Sequence, residues 1–275
     1  MPPPFPYHEA LVTGASRGLG RAFAEALHAE GVTVWGTSRD GTGLPEGIRP
    51  LALDLDTPAT IAAAIAHLHA NAPHLDLLIN NAGAGAFHLF HEFPPRTLAQ
   101  QWRTLLAAPV AFCHAFYPRF LEQEHGAIVN VTSLASQFPI PCMSAYSAAK
   151  AGLSTFTQAL MLEAHGTGVA VIDFQPGDYA TDFNNAMTAP APQGDGTDAD
   201  GTDATAARIW ARCERHLHAG PPPAHAARRL LRALRRRRSQ TVHTGTFWQA
   251  RLGPLVARLL PRGIVQRYLR NYYDI

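Results

Sequence analysis

Ala10-Leu11-Val12-Thr13-Gly14-Ala15-Ser16-Arg17-Gly18-Leu19-Gly20 is the stretch whose reading decides the fold. Ala10-Leu11-Val12 is a short apolar run that reads as a buried strand. It leads into a glycine-rich turn, and Arg21 to Glu30 then follow a helical pattern. A strand-turn-helix of this kind lets the backbone approach a pyrophosphate. The helix N-terminus adds free N–H groups and a favourable dipole. The spacing is Gly-x-x-x-Gly-x-Gly rather than the common G-x-G-x-x-G, and glycines also mark plain turns, so the pattern alone admits both readings.

A second constellation is Tyr146-Ser147-Ala148-Ala149-Lys150, with Ser133 upstream. On a helix, positions i and i+4 lie on one face, so Tyr146 and Lys150 point into the same cleft. A free tyrosine titrates near pH ~10, too high for efficient proton transfer at neutral pH, and a neighbouring ammonium is expected to lower it. Ser133 would hold a substrate oxygen beside the phenol. The set suits proton transfer at a C–OH/C=O pair, for which a hydride donor is the complement.

Strand and helix candidates alternate along the chain. Val32–Thr37, Arg49–Leu53, Leu75–Asn80, Ala127–Val131, Val169–Phe174 and Thr241–Thr244 read as strands. Helical patterns cover Thr60–Ala70, Leu98–Glu122 with disturbances at Pro109 and Pro118, Tyr146–His165 and Ala224–Arg238. The alternation predicts a parallel sheet covered on both faces, with ligands at the carboxyl ends of the strands. Thr188–Thr205 is small, polar and aperiodic, and reads as a mobile loop, either a gating lid or an inert insertion. The charge is divided: residues 1–205 carry a net −11, and residues 206–275, with 15 Arg and two acids, carry +13. Those arginines either bridge to the acidic body or face a partner or membrane. No run approaches the ~20 apolar residues of a membrane span, and the first residues lack signal-peptide character, so a cytoplasmic protein is expected. Cys113, Cys142 and Cys213 have no metal or redox spacing, and His88 and His91 lack a third ligand, so no metal is expected. His88 and His91 are better suited to touching substrate at a pocket mouth, and His216 and His218 to the surface.

In chain order, these residues resemble the short-chain dehydrogenase/reductase family over about residues 7–185. Thr13-Gly14-x-x-x-Gly18-x-Gly20 looks like the family's cofactor turn, which brings in Ser16, Arg17 and Leu19. Asp54, with Leu55, sits where the family contacts adenine. Asn80-Asn81-Ala82-Gly83 matches the motif that supports the cofactor after the fourth strand. Ser133, Tyr146 and Lys150 match the catalytic set, and Lys150 and Tyr146 would also face the nicotinamide ribose. Pro176-Gly177, followed by Thr181, matches the segment at the nicotinamide end. The implied fold is α/β, a Rossmann-type doubly wound parallel sheet in a single domain over 1–275, with a flexible lid at 186–220 and basic helices at 221–275. A homodimer or homotetramer is implied as well. One position departs: an ungapped count puts Leu105 where the family usually has a catalytic asparagine, which leaves the proton path to solvent in question.

Ser38 and Arg39 stand where an acidic residue would bind the ribose of NAD, and Arg17 adds a second cation in the turn. Guanidinium groups suit a 2′-phosphate, so NADP(H) is the expected cofactor. Leu134, Phe138 and Met143, with Phe87 from the Ala84–Phe93 stretch, are expected to line an apolar pocket. The expected reaction is ketone–alcohol interconversion on a lipophilic small molecule of steroid, terpenoid or fatty-acyl type. The alternatives are a 3-oxoacyl thioester on an acidic carrier protein and, from another class, a non-catalytic NADP-binding sensor. No nucleic acid is expected as a partner, while the basic C-terminal region leaves peripheral membrane contact open.

Overall fold

Every residue of four apolar runs is buried, and these form the middle of the sheet: β1 (Glu9–Val12), β4 (Leu75–Asn80), β5 (Gly126–Val131) and β6 (Val169–Pro176). Continuous burial on both faces is what a parallel strand under helices requires. The computed structural model describes residues 4–181, 187, 202–273 and 275. β2 (Thr33–Ser38), β3 (Arg49–Ala52) and β7 (Gln240–Thr244) complete a seven-stranded sheet in the order β3-β2-β1-β4-β5-β6-β7, all parallel. Pro50 is tolerated because β3 is an edge strand. The order reverses between β1 and β4, so a crevice opens at their carboxyl ends.

Helices cover both faces. α1 (Gly18–Ala29) and α7 (Pro223–Leu234) share one core through Phe23, Leu27, Leu230 and Leu234. α2 (Pro58–Asn71), α4 (Ala108–Glu122) and α5 (Ser144–Glu163) share the other through Leu68, Phe112, Phe116, Phe120 and Leu160. Each such side chain, fully buried, stabilises the fold by ~1.5–3 kcal/mol. A third cluster joins Phe87, Leu105, Met143 and Tyr146 to Ile209 of α6 (Thr202–His218) and Tyr273 of α9 (Arg262–Tyr273). α8 (Gly253–Leu259) lies between β7 and α9 in the chain. Among the described residues, no helix is long and apolar enough to cross a membrane.

The structure corrects several sequence expectations. The helix expected over Leu98–Glu122 is α3 (Pro95–Trp102), a π-helical turn over Arg103–Ala107, and α4. The wider turn takes up an extra residue just before Pro109, in the first turn of α4. Of the loop expected at Thr188–Thr205, residues 188–201 lie outside the described residues, and 202–205 already belong to α6. The expected lid at 186–220 therefore contains a helix of 17 residues. The Arg235–Arg238 run lies beyond α7; there Arg235 pairs with Glu30 at 2.6 Å and Arg237 donates to His125 at 3.1 Å. Bridging to the acidic body thus holds for Arg235.

Candidate active site

Gly14 has φ +68°, a left-handed conformation that glycine adopts without strain. A Cβ there would lie 2.9 Å from Ala82, and one on Gly20 only 2.1 Å from the Gly14 carbonyl oxygen. The turn is held against the end of β4 by Thr13, whose Oγ1 accepts from Asn81 N (2.9 Å) and Ala82 N (3.0 Å). Asn81 Nδ2 donates to Thr13 O at 2.9 Å. Thr37 Oγ1 accepts from Gly14 N at 3.0 Å, a support that the sequence reading did not include. The result is a cradle of main chain at the N-terminus of α1, as a pyrophosphate requires.

Ser16, Arg17, Gly18, Leu19, Ser38, Arg39, Asp54, Leu55 and Asn81-Ala82-Gly83 all line one cavity with this turn. Pro176 and Gly177 line it too; Thr181 does not, but it faces Gly18, where a Cβ would meet it at 3.6 Å. Asp40 also lines the cavity, a carboxylate next to Arg39 that the sequence reading did not weigh. Its Oδ1 accepts from Thr42 N (3.0 Å), Thr42 Oγ1 (2.8 Å) and Ser38 Oγ (3.2 Å), and these bonds, led by the Thr42 amide, hold its pKa down. That oxygen is committed to its own loop, while both arginines stand free of any recorded acidic partner among the described residues. The donor set therefore fits a dinucleotide, with cations at its adenosine end.

Ser133, Tyr146 and Lys150 line the same cavity. Ser133 follows β5 and shares a hydrogen bond with the Tyr146 hydroxyl. Lys150 Nζ donates to Val131 O at 2.7 Å and sits 6.0 Å from the Tyr146 ring centre. The electrostatics differ from the sequence expectation. Burial pushes the Tyr146 phenol up to about 12, against the Ser133 hydrogen bond and with a further push from Asp178. Burial brings the Lys150 ammonium down to about 8, opposed by Asp173. Loss of water is the largest influence on both groups, and the ammonium is bonded to a main-chain oxygen. Asp173 is fully buried in β6; Thr132 Oγ1 donates to its Oδ1 at 2.5 Å, and Ser154 Oγ (2.6 Å) and Gln175 Nε2 (2.7 Å) donate to its Oδ2. A lone carboxylate inside an apolar strand was the available signal for it.

Leu105 is fully buried in the π-turn, and its Cδ2 would lie 2.5 Å from a Cβ on Gly83. It packs, and carries no proton. Four residues earlier, Gln101 lines the cavity and donates to Ala84 O at 3.0 Å, while its buried Oε1 has no partner among the described residues.

The substrate end is only partly as expected. Leu134, Phe138 and Met143 line the cavity, whereas Phe87 is fully buried behind it, edge-on to Trp210. His88 packs on Phe93 and His91 lies beside Glu92, neither on the lining. His216 is a correction in the other direction: it is half-buried, lines the cavity and lies against Tyr272. The side chain of His218 lies outside the described residues. Residues that sequence reasoning missed include Asp178, just past β6, and, from the C-terminal region, Cys213, Gln249, Val256, Leu260 and Tyr273. The cavity measures about 1970 Å³, beyond the ~300–1,000 Å³ of a site for one small ligand. It has room for a dinucleotide and a second molecule.

A family model described as short chain dehydrogenase matches residues 8–191. The chain is 28% identical over 272 residues to a 3-ketodihydrosphingosine reductase of Bacteroides thetaiotaomicron, covering 96% of this chain and 97% of that one. It is 32% identical to the 3-oxoacyl-[acyl-carrier-protein] reductase FabG of Escherichia coli, covering 65% of this chain and 76% of the relative. A short-chain dehydrogenase structure from Streptomyces avermitilis superposes with TM-score 0.74 at 25% identity, covering 98% and 96% of the two chains.

Asp173 favours the charged form of Lys150, so without it the ammonium loses its proton at lower pH. Asp173→Asn should move the alkaline limb of the pH–rate profile downward, cutting turnover at pH 8 by ~10-fold with a much smaller effect at pH 6. An unmoved alkaline limb would show that Asp173 only fills space.

Proposed function

The chain belongs to the short chain dehydrogenase family, and from that premise we propose that it reduces long-chain, lipophilic ketones to secondary alcohols with NADPH. One observation carries this reading: a single cavity joins the glycine turn, the Ser133–Tyr146–Lys150 set and an apolar lining that runs out along α8 and α9. A bound nicotinamide supplies the hydride. The Ser133 and Tyr146 hydroxyls hydrogen-bond the carbonyl oxygen. As the carbon gains hydride, Tyr146 gives its proton to that oxygen, and the nearby Lys150 ammonium stabilises the phenolate left behind. General acid catalysis of this kind contributes ~10²–10⁴-fold. Arg17 and Arg39 would pair with a 2′-phosphate, which favours NADP over NAD.

The match to the Bacteroides reductase runs through the C-terminal helices, while the FabG match leaves about a third of this chain uncovered. That supports a free lipid ketone over a 3-oxoacyl thioester on a carrier protein. The surface at the cavity mouth supports it further. Trp248, Val256, Leu260, Ile264 and Tyr268 all line the cavity and are all exposed, and Phe247, Leu255 and Leu259 extend the patch. Arg251, Arg267 and Arg270 are exposed in the same segment. A patch of this composition matches an anionic lipid surface, from which a water-insoluble ketone can pass directly into the cavity.

Tyr146→Phe should keep NADPH binding and lose ~10²–10⁴ in turnover on long-chain ketones; full activity of this variant, or wild-type activity only on carrier-linked thioesters, would defeat the assignment. Arg39→Asp should reverse the NADP preference, read as the ratio of kcat/KM for the two cofactors. A wild type that uses NAD as well as NADP would contradict the arginine argument. The protein should sediment with phosphatidylglycerol-containing vesicles and not with phosphatidylcholine alone, and Trp248→Ser with Leu259→Ser should release it. Sedimentation indifferent to lipid charge and to these changes would remove the membrane from the reading.

A further inference from the structure

Three aspartates line the cavity; Asp40 and Asp54 stand with Arg39 at the cradle end, and the third, Asp178, has no part in the proton and hydride steps. Asp178 follows Gly177 just past the end of β6 and lines the cavity with Tyr146 and Ser133. Its position is held from the C-terminal side by Gln249. Gln249 Oε1 accepts from Asp178 N (3.3 Å) and Thr246 N (3.3 Å), and Gln249 Nε2 donates to Asp178 Oδ2. The groups whose charge it senses or affects come from three elements: Tyr146 on α5, Cys213 and His216 on α6, and Tyr272 and Tyr273 on α9. Of these, His216 alone can be cationic. Arg212 lies over the Tyr272 ring at 4.7 Å, and among the described residues no lysine or arginine bridges to Asp178.

A carboxylate in this place works against the reaction. It opposes ionisation of Tyr146, and Tyr146 must carry negative charge once it has given up its proton. The same surroundings hold the Asp178 carboxyl itself above its usual range through burial, against the Gln249 bond and His216. A cation placed between Asp178 and the reacting carbon reverses both effects. It neutralises the carboxylate and favours the phenolate. The cavity wall beyond Asp178 is apolar, from Leu252 and Val256 to Leu260, Val265 and Leu269. The opposite end is filled by the dinucleotide cradle. A substrate that satisfies all of this has an ammonium near its carbonyl and a long apolar tail.

We propose that Asp178 is a binding subsite for a cationic nitrogen, so that the preferred substrate is an amphiphilic amino ketone with the ammonium beside the reacting carbonyl. The inference rests on the ketone-reductase reading and adds to it the charge of the substrate. The ion pair forms in a half-buried, apolar-walled site, where a hydrogen bond to a charged group retains much of its strength.

The test compares two long-chain ketones that differ only at the carbon next to the carbonyl, one bearing an ammonium and the other a hydrogen. Wild type should favour the ammonium ketone by ~10-fold or more in kcat/KM, the scale of one charge-assisted hydrogen bond. Asp178→Asn keeps the size and the Gln249 contact, and should erase that preference chiefly through KM. Asp178→Glu should restore part of it. Equal losses on both ketones, or a wild type that does not distinguish them, would overturn the subsite. Equilibrium binding of a long-chain 2-amino alcohol to the NADP-loaded protein separates the two claims. If no ketone is reduced but the amino alcohol binds ~10-fold more weakly to Asp178→Asn, the reductase reading fails and the subsite stands. If the amino alcohol binds both proteins equally, the subsite fails whatever the turnover.

Discussion

The close approach of two strand ends is the constraint on which the site depends. β1 and β4 are neighbours in the sheet, yet the strand order reverses between them, and the gap past their ends must be bridged. Thr13 closes it with one hydroxyl that accepts two backbone amides, from Asn81 and Ala82. Gly14 and Gly20 then sit where any Cβ would collide with backbone. This geometry turns the first-turn amides of α1 to the crevice, where they could receive a pyrophosphate. A dinucleotide held there would reach along the same cavity toward the helix carrying Tyr146 and Lys150.

A second layer of constraint is electrostatic. An ammonium and a phenol are both buried at the carboxyl end of the sheet, and both are moved toward their neutral forms by loss of water. Asp173 resists this for Lys150 from within β6, and three side-chain donors bond its carboxylate oxygens. Thr132, Ser154, Gln175 and Asp173 thus form a polar network rather than an isolated pair. Asn80, Asn130 and Thr157 form another such chain across β4, β5 and α5, with bonds of 2.8 and 2.9 Å. Both networks join strands to α5, so the helix carrying Tyr146 and Lys150 is held in register by hydrogen bonds as well as by packing.

Much of this was legible in the sequence because it depends on local pattern. Apolar runs gave the strands, glycine spacing gave the turn, and i, i+4 spacing placed Tyr146 over Lys150 on α5. What escaped depends on tertiary contact. Phe87 looked like a pocket residue, but its neighbours Trp210 and Leu105 lie far away in the chain and seal it behind the wall. His216 looked like a surface residue because nothing local shows that Tyr272 folds back against it. The direction of the Tyr146 shift was misjudged for the same reason: spacing shows the nearby ammonium, while the burial that outweighs it is set by the whole fold.

The C-terminal region shows how far local pattern can go before it needs a partner. Its apolar and arginine residues alternate at helical spacing, and such a pattern predicts a buried stripe on the body. Tyr273 does bury there, and Leu269 and Tyr272 pack with it. Leu259, Ile264 and Tyr268 do not; they are 68%, 51% and 60% exposed. The stripe is thus wider than the surface the body offers it. These side chains stand among the exposed Arg251, Arg267 and Arg270, beside a cavity that Tyr146 also lines. On the membrane reading proposed above, an apolar rim continuous with an apolar part of the cavity lining would lower the barrier for a lipid tail, because the tail would stay out of water on its way to Tyr146.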